Sequence, residues 1–183
     1  LVSMLMCATT GLVAGTETED EYAGQQIIVE QAVQNRDMWD VQFEYDVGGA
    51  SGSLYLGGCG FDGTYFYAPE WNSANIFKFD KTGPLIETFT IPGVTSLRDL
   101  AYDGEYFYGG DGTALSIKQM DFTNKVLVST ISLPVAARSC AYDYEKDAFW
   151  VNVWQTDLIL YTRQGVELNR ITAPESLYGS EFD

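Results

Sequence analysis

The chain has 183 residues, 46% hydrophobic and 14% aromatic, enough to bury a core in a domain of ordinary size. Ten Lys and Arg against 26 Asp and Glu leave a formal net charge of −16, which argues against nucleic acid or an anionic membrane surface as partner, since both require basic patches. There is no histidine, which excludes Ser-His-Asp and Cys-His catalysis and imidazole metal ligands together.

Residues 1–15 (LVSMLMCATTGLVAG) are apolar and end in the small residues Val13-Ala14-Gly15. They read as signal-peptide-like, or as a retained apolar strand able to add to a sheet edge. The run is too short to span a membrane. Residues 16–38 read as an acidic linker opening with TETEDEYAGQQ. From residue 39 to 183 the chain is predicted to be all-β. Its first element is a half-buried strand over Trp39–Val47, where Val41, Phe43 and Tyr45 alternate.

A repeat follows. Phe61-Asp62-Gly63-Thr64-Tyr65-Phe66-Tyr67 returns as Tyr102-Asp103-Gly104-Glu105-Tyr106-Phe107-Tyr108, and again as Tyr142-Asp143 with Ala148-Phe149-Trp150. The aligned aspartates are Asp62, Asp103, Asp143 and Asp183, spaced 41, 40 and 40 residues apart. That period suits a propeller blade. The repeats span about 53–93, 94–134 and 135–174, with a fourth starting at 178.

Each repeat divides into four short strands. The first gives 56–61, 65–69, 75–79 and 85–91; the second 98–102, 106–110, 115–120 and 126–133; the third 138–142, 148–153, 158–162 and 167–171. Asp62-Gly63 and Asp103-Gly104 are hairpin turns. Asp80-Lys81-Thr82-Gly83 suits a hairpin with a bulge, and Thr162-Arg163-Gln164-Gly165 occupies the same place. The predicted fold is a β-propeller type with about three complete four-stranded blades plus flanking strands. Because a closed propeller typically has at least four blades, the ring is expected to be partial, or completed by partner copies at its edge strands.

Cys59 and Cys140 align with each other and with Leu100 in the repeat, so they read as core positions. With Cys7 they form no CxxC motif.

The segment from about Trp39 to Asp183 resembles the secreted β-propeller repeats of large surface and extracellular proteins of Gram-negative bacteria. The resemblance rests on Gly60-Phe61-Asp62-Gly63-Thr64-Tyr65-Phe66-Tyr67, Trp71, Lys78-Phe79-Asp80-Lys81-Thr82-Gly83, Glu87-Thr88-Phe89-Thr90-Ile91-Pro92-Gly93 and Leu97-Arg98-Asp99-Leu100-Ala101-Tyr102-Asp103. It implies the repeat architecture and a secreted, extracellular or cell-surface location. It implies no shared catalytic motif.

Candidate binding residues come from the loops expected at one end of the blades. Trp71 and Trp154 are equivalent, with Gly112 between them, and could stack on sugar rings or anchor a protein. Arg98 and Arg138 are equivalent, lie beside Asp99, and could hold a carboxylate or sulfate; the other reading is an Arg–Asp network. Glu70, Asp111 and Asp157 supply oxygens that could take calcium, although no calcium-loop spacing accompanies them. The repeat aspartates read as turn caps. No acid–base pair stands out.

The expected function is a non-catalytic extracellular module for adhesion or for binding a protein or glycan, with no resident cofactor. One alternative is a self-assembling subunit of an extracellular filament or sheath, joined to copies of itself by edge-strand complementation. A glycan-active enzyme is the third reading.

Overall fold

The computed structural model describes residues 44–177, 179, 180 and 182. The chain divides into two units, Leu1–Asp46 and Val47–Asp183. The features expected over residues 1–43 lie outside the described residues. Of the strand expected over 39–47, residues 44–46 are irregular, and Val47–Ser51 forms a short helix, α1. The correction has a local cause. Gly48-Gly49 ends the alternation of apolar residues, and the turn closes when Gly52 N and Ser51 Oγ donate to Gly48 O at 2.8 and 3.2 Å. Val47 then packs on Ala68, Phe77 and Phe79.

The second unit carries three four-stranded antiparallel sheets, each with its strands in chain order. The first sheet holds β1 (Gly60–Phe61), β2 (Tyr65–Pro69), β3 (Ile76–Asp80) and β4 (Leu85–Phe89). The second holds β5 (Ala101–Tyr102), β6 (Phe107–Gly109), β7 (Ser116–Asp121) and β8 (Val126–Ser132). The third holds β9 (Ser139–Asp143), β10 (Ala148–Asn152), β11 (Asp157–Thr162) and β12 (Glu167–Thr172). The first strands adjoin from sheet to sheet, β1 beside β5 and β5 beside β9.

The turn chemistry repeats. Asp62 Oδ1 accepts from the backbone N–H of Thr64 and Tyr65, both at 2.7 Å, and Gly63 takes the corner at φ 91°. Asp103 Oδ1 does the same for Glu105 and Tyr106, and Asp143 Oδ1 for Glu145 and Lys146. The second carboxylate oxygen reaches an aromatic side chain on the next strand: Tyr67 OH to Asp62 at 2.9 Å, Tyr108 OH to Asp103 at 2.8 Å, and Trp150 Nε1 to Asp143 at 3.2 Å. A register shift marks the third strand of every sheet, at Lys78/Phe79, Gln119/Met120 and Leu160/Tyr161. It gives each hairpin into the outer strand its bulge.

Two apolar cores lie between the sheets. Tyr67, Phe89 and Ile91 meet Leu100, Phe107, Met120 and Phe122 between the first and second. Tyr108, Ile117 and Ile131 meet Cys140, Phe149, Val151 and Tyr161 between the second and third. Cys140 is thus a core residue, as its repeat column implies.

The inner strands of the first two sheets, β1 and β5, are shorter than the sequence implies, whereas β9 has the expected five residues. Gly57 N donates to Pro69 O, but Gly58 N donates sideways to Arg98 O of the next sheet, both at 2.7 Å. A Cβ on Gly58 would fall 1.8 Å from Asp99 Oδ1. Glycine is therefore required where these two strands converge.

Candidate functional site

One end of the three sheets collects the β2–β3, β6–β7 and β10–β11 turns with the segments that lead into β5 and β9. Each turn is fastened by a polar side chain. Glu70 accepts from Ser73 Oγ at 2.5 Å, Asn75 Nδ2 at 2.9 Å and Ser53 Oγ. Asp111 Oδ1 accepts from the backbone of Thr113 and Ala114 at 2.8 and 2.7 Å, while Oδ2 pairs with Lys118 at 3.3 Å. Asn152 accepts from Trp154 N at 2.5 Å and donates to the carbonyls of Gln155 and Asp157.

These ties set the aromatic residues. Trp71 N donates to Tyr55 O at 2.9 Å, and the two rings meet edge to face at 5.3 Å. Trp154 sits at φ 62°, a left-handed backbone that a bulky residue rarely adopts. The Asn152 clamp holds it there. Such strain concentrates at functional positions.

The arginines complete the arrangement. The Arg98 guanidinium lies 4.3 Å from the Trp71 ring and 5.5 Å from the Trp154 ring, and Arg138 lies 3.9 Å from Trp154. All are within cation–π range. A Cβ on Gly112 would fall 2.6 Å from Arg138 Cγ, so the gap in the tryptophan column is what admits the Arg138 stem. The result is a continuous row: Tyr55, Trp71, Arg98, Trp154, Arg138. Burial first, and then the neighbouring Arg138 charge, push the Arg98 pKa below its ordinary value, with Asp111 acting against them. Arg98 Nε is buried and has no acceptor among the described residues.

The sequence-derived candidates therefore separate. Trp71, Trp154, Arg98 and Arg138 come together. Asp99 does not join them. It is buried, with Oδ1 accepting from Leu100 N and Oδ2 from Cys140 N of the next sheet, each at 3.0 Å. The expected Arg–Asp network is absent among the described residues; Asp99 instead ties inner strand to inner strand.

The calcium candidates Glu70, Asp111 and Asp157 each have partners of their own. Hydrogen bonds from Ser53 and then Ser73 hold Glu70 below the usual carboxylate range. Burial would raise Asp111, but the Ala114 and Thr113 amides outweigh it and leave the pKa at about 2. Asp157 pairs with Arg170 at 2.6 Å and accepts from Thr172 Oγ1 at 2.9 Å. No group of three or more acidic or cysteine side chains among the described residues is placed to hold a metal ion. Tyr55 was not anticipated; its only sequence signal is its place just ahead of the first inner strand.

No family model matches the chain, and no curated protein matches it. Among solved structures, glutaminyl cyclase from Myxococcus xanthus is similar, with a TM-score of 0.58 and 17% identity over 64% of this chain and 53% of that one. The structure of U3-55K is a weaker likeness, at TM-score 0.48 and 11% identity over 66% of this chain and 39% of that one. This chain thus spans about half the length of the cyclase. The likeness shows the fold alone: all-β and propeller-like. It corrects the expectation of a non-catalytic protein to this extent: the cyclase of similar fold is an enzyme, so the fold gives no ground for excluding catalysis. No helix among the described residues is long and apolar enough to cross a membrane.

Proposed function

We propose that this protein is an extracellular recognition module whose three sheets are consecutive propeller blades and whose loop end binds a glycan. The observation that carries this reading is the row Tyr55–Trp71–Arg98–Trp154–Arg138. Aromatic rings pack on sugar rings, and guanidiniums supply donors to sugar oxygens. The row runs across loops of all three sheets, as a site for an extended chain would. Polysaccharide binding, measured by affinity electrophoresis, should fall at least tenfold in Trp71→Ala with Trp154→Gly. The glycine removes the ring and relaxes the left-handed backbone. A double variant that binds as well as the parent overturns the reading, and so does a parent that binds no polysaccharide.

A second reading, self-association at a sheet edge, is favoured by β12. All six of its residues are exposed, including Leu168 and Ile171, and its outer edge pairs with no strand among the described residues. Such an edge is a template for a strand of another copy. Light scattering should then give a mass that rises with concentration, and Leu168→Lys should abolish the rise. A sample that stays at 20.3 kDa throughout removes this reading.

A further inference from the structure

We infer that the aromatic–cation row reads an anionic group, a carboxylate or sulfate ester carried on the sugar chain, through the paired guanidiniums of Arg98 and Arg138. This inference rests on the glycan-binding reading and names its ligand class.

Other arginines of this chain are paired with carboxylates. Arg163 takes Asp103 at 2.8 Å and Asp147 at 2.6 Å, and Arg170 takes Asp157 at 2.6 Å and Glu167 at 2.8 Å. With 26 acidic residues against ten basic ones, carboxylates are abundant. Arg98 and Arg138 have none. Among the described residues neither guanidinium makes an ion pair or donates a side-chain hydrogen bond, and Asp111, the carboxylate that acts on Arg98, is taken by Lys118.

Two like charges are nonetheless held against one indole ring, within 5.5 and 3.9 Å of Trp154. Each costs the other free energy, and burial adds to that cost at Arg98. The fold keeps the pair in place against the indole rings, and among the described residues their N–H donors have no protein acceptor. Those donors form the planar fork that carboxylate and sulfate oxygens match in pairs. An anion between them relieves the repulsion and satisfies the donors at once. A neutral hydroxyl does only the second. The clamp on Trp154 fixes the ring that both cations share, so the pair is held ready before any ligand arrives.

The net charge of −16 sharpens this assignment. A chain so acidic repels polyanions over most of its surface. At physiological salt that repulsion is screened beyond about 8 Å, whereas contacts within the row are shorter. Anion binding should therefore be confined to the row.

The test uses two matched pairs of probes in physiological salt: trigalacturonate against its methyl ester, and dextran sulfate against dextran. Binding is read by tryptophan fluorescence and calorimetry on the full chain. The charged member of a pair should bind at least tenfold more tightly than its neutral counterpart. Arg98→Gln and Arg138→Gln should each remove most of that difference, weakening the charged member far more than the neutral one, with circular dichroism confirming the fold. Arg138→Lys, which keeps the charge and loses the fork, should recover only part of it. Equal binding of charged and neutral members overturns this inference while leaving the glycan reading intact. Failure of all four probes to bind overturns both.

Discussion

Phe149→Ala should be the most destabilising single substitution in the β unit. Phe149 is fully buried between the second and third sheets, with its ring 4.5 Å from Tyr108, 5.4 Å from Tyr142 and 5.5 Å from the Arg163 guanidinium. Truncation of such a ring costs roughly 3–5 kcal/mol, transfer and cavity together. Domains of this kind have about 5–15 kcal/mol in total. The thermal midpoint should therefore fall by about 10 °C or more. The urea midpoint should fall with an unchanged m-value, because the surface exposed on unfolding is the same. Leu168→Ala, on the exposed face of β12, should stay within about 0.5 kcal/mol of the parent. A Phe149→Ala protein as stable as that control would show that the two sheets do not pack as described.

Asp103→Ala should come second, and should cost more than the equivalent change at Asp62. Both aspartates cap a turn through two backbone N–H groups and accept a tyrosine hydroxyl. Only Asp103 also holds Arg163, whose guanidinium bonds Tyr108 OH, Tyr142 OH and Asp147 besides. Loss of the shared cap costs about 1–2 kcal/mol at either site, and Asp103→Ala adds about 1 kcal/mol, since Arg163 is partly exposed and solvent softens its loss. Equal losses at the two sites would count against the Arg163 contribution.

The pH dependence follows with a definite sign. Burial would raise the Asp103 pKa, but the Tyr106 and Glu105 amides, then Arg163, outweigh it and hold the carboxyl below its ordinary value. A group depressed in the folded state contributes stability that is complete above the unfolded pKa of about 4 and is lost as pH falls through the folded value. Stability should therefore decline below about pH 4, and Asp103→Asn should flatten that decline relative to the parent. An unchanged acid limb in Asp103→Asn would refute this account.

The parts of the fold that were legible in the sequence are those fixed within a few residues. Asp62-Gly63 and Asp103-Gly104 specify their turns through bonds two and three residues away, so the strands they join could be placed from the repeat alone. Asp80-Lys81-Thr82-Gly83 likewise carries its bulge locally, with Asp80 bonding Thr82 and Gly83 at φ 105°. Non-local bonds were not legible. Asp99 looks like a partner for its neighbour Arg98, yet it bonds Cys140, 41 residues on. The short β1 has the same origin, because Gly58 bonds the next sheet rather than extending its own ladder.

The candidate site divides in the same way. Repeat alignment put Trp71, Trp154, Arg98 and Arg138 at one end of the sheets. It could not show that Gly112 makes room for the Arg138 stem, that Asn152 holds Trp154 at φ 62°, or that Tyr55 joins the row. Glu70 and Asp111 read as open oxygens although Ser73 and the Thr113 and Ala114 amides occupy them within their own turns; the farther partners, Ser53, Lys118 and, for Asp157, Arg170, were not legible.

The two seams between sheets differ at one repeat position. After β7 the chain places Phe122, which lies 5.1 Å from Tyr67, 5.3 Å from Phe89 and 4.2 Å from Phe107. After β11 the same position is Arg163, joined to Asp103 and Asp147. At this position one seam is closed by packed rings and the other by charge, beside an apolar core in each. Cooling weakens apolar contacts, and acid discharges carboxylates. Cold therefore acts on the apolar cores of both seams, whereas acid acts first on the seam that Arg163 closes, so a single cooperative-looking unit opens differently according to how it is stressed.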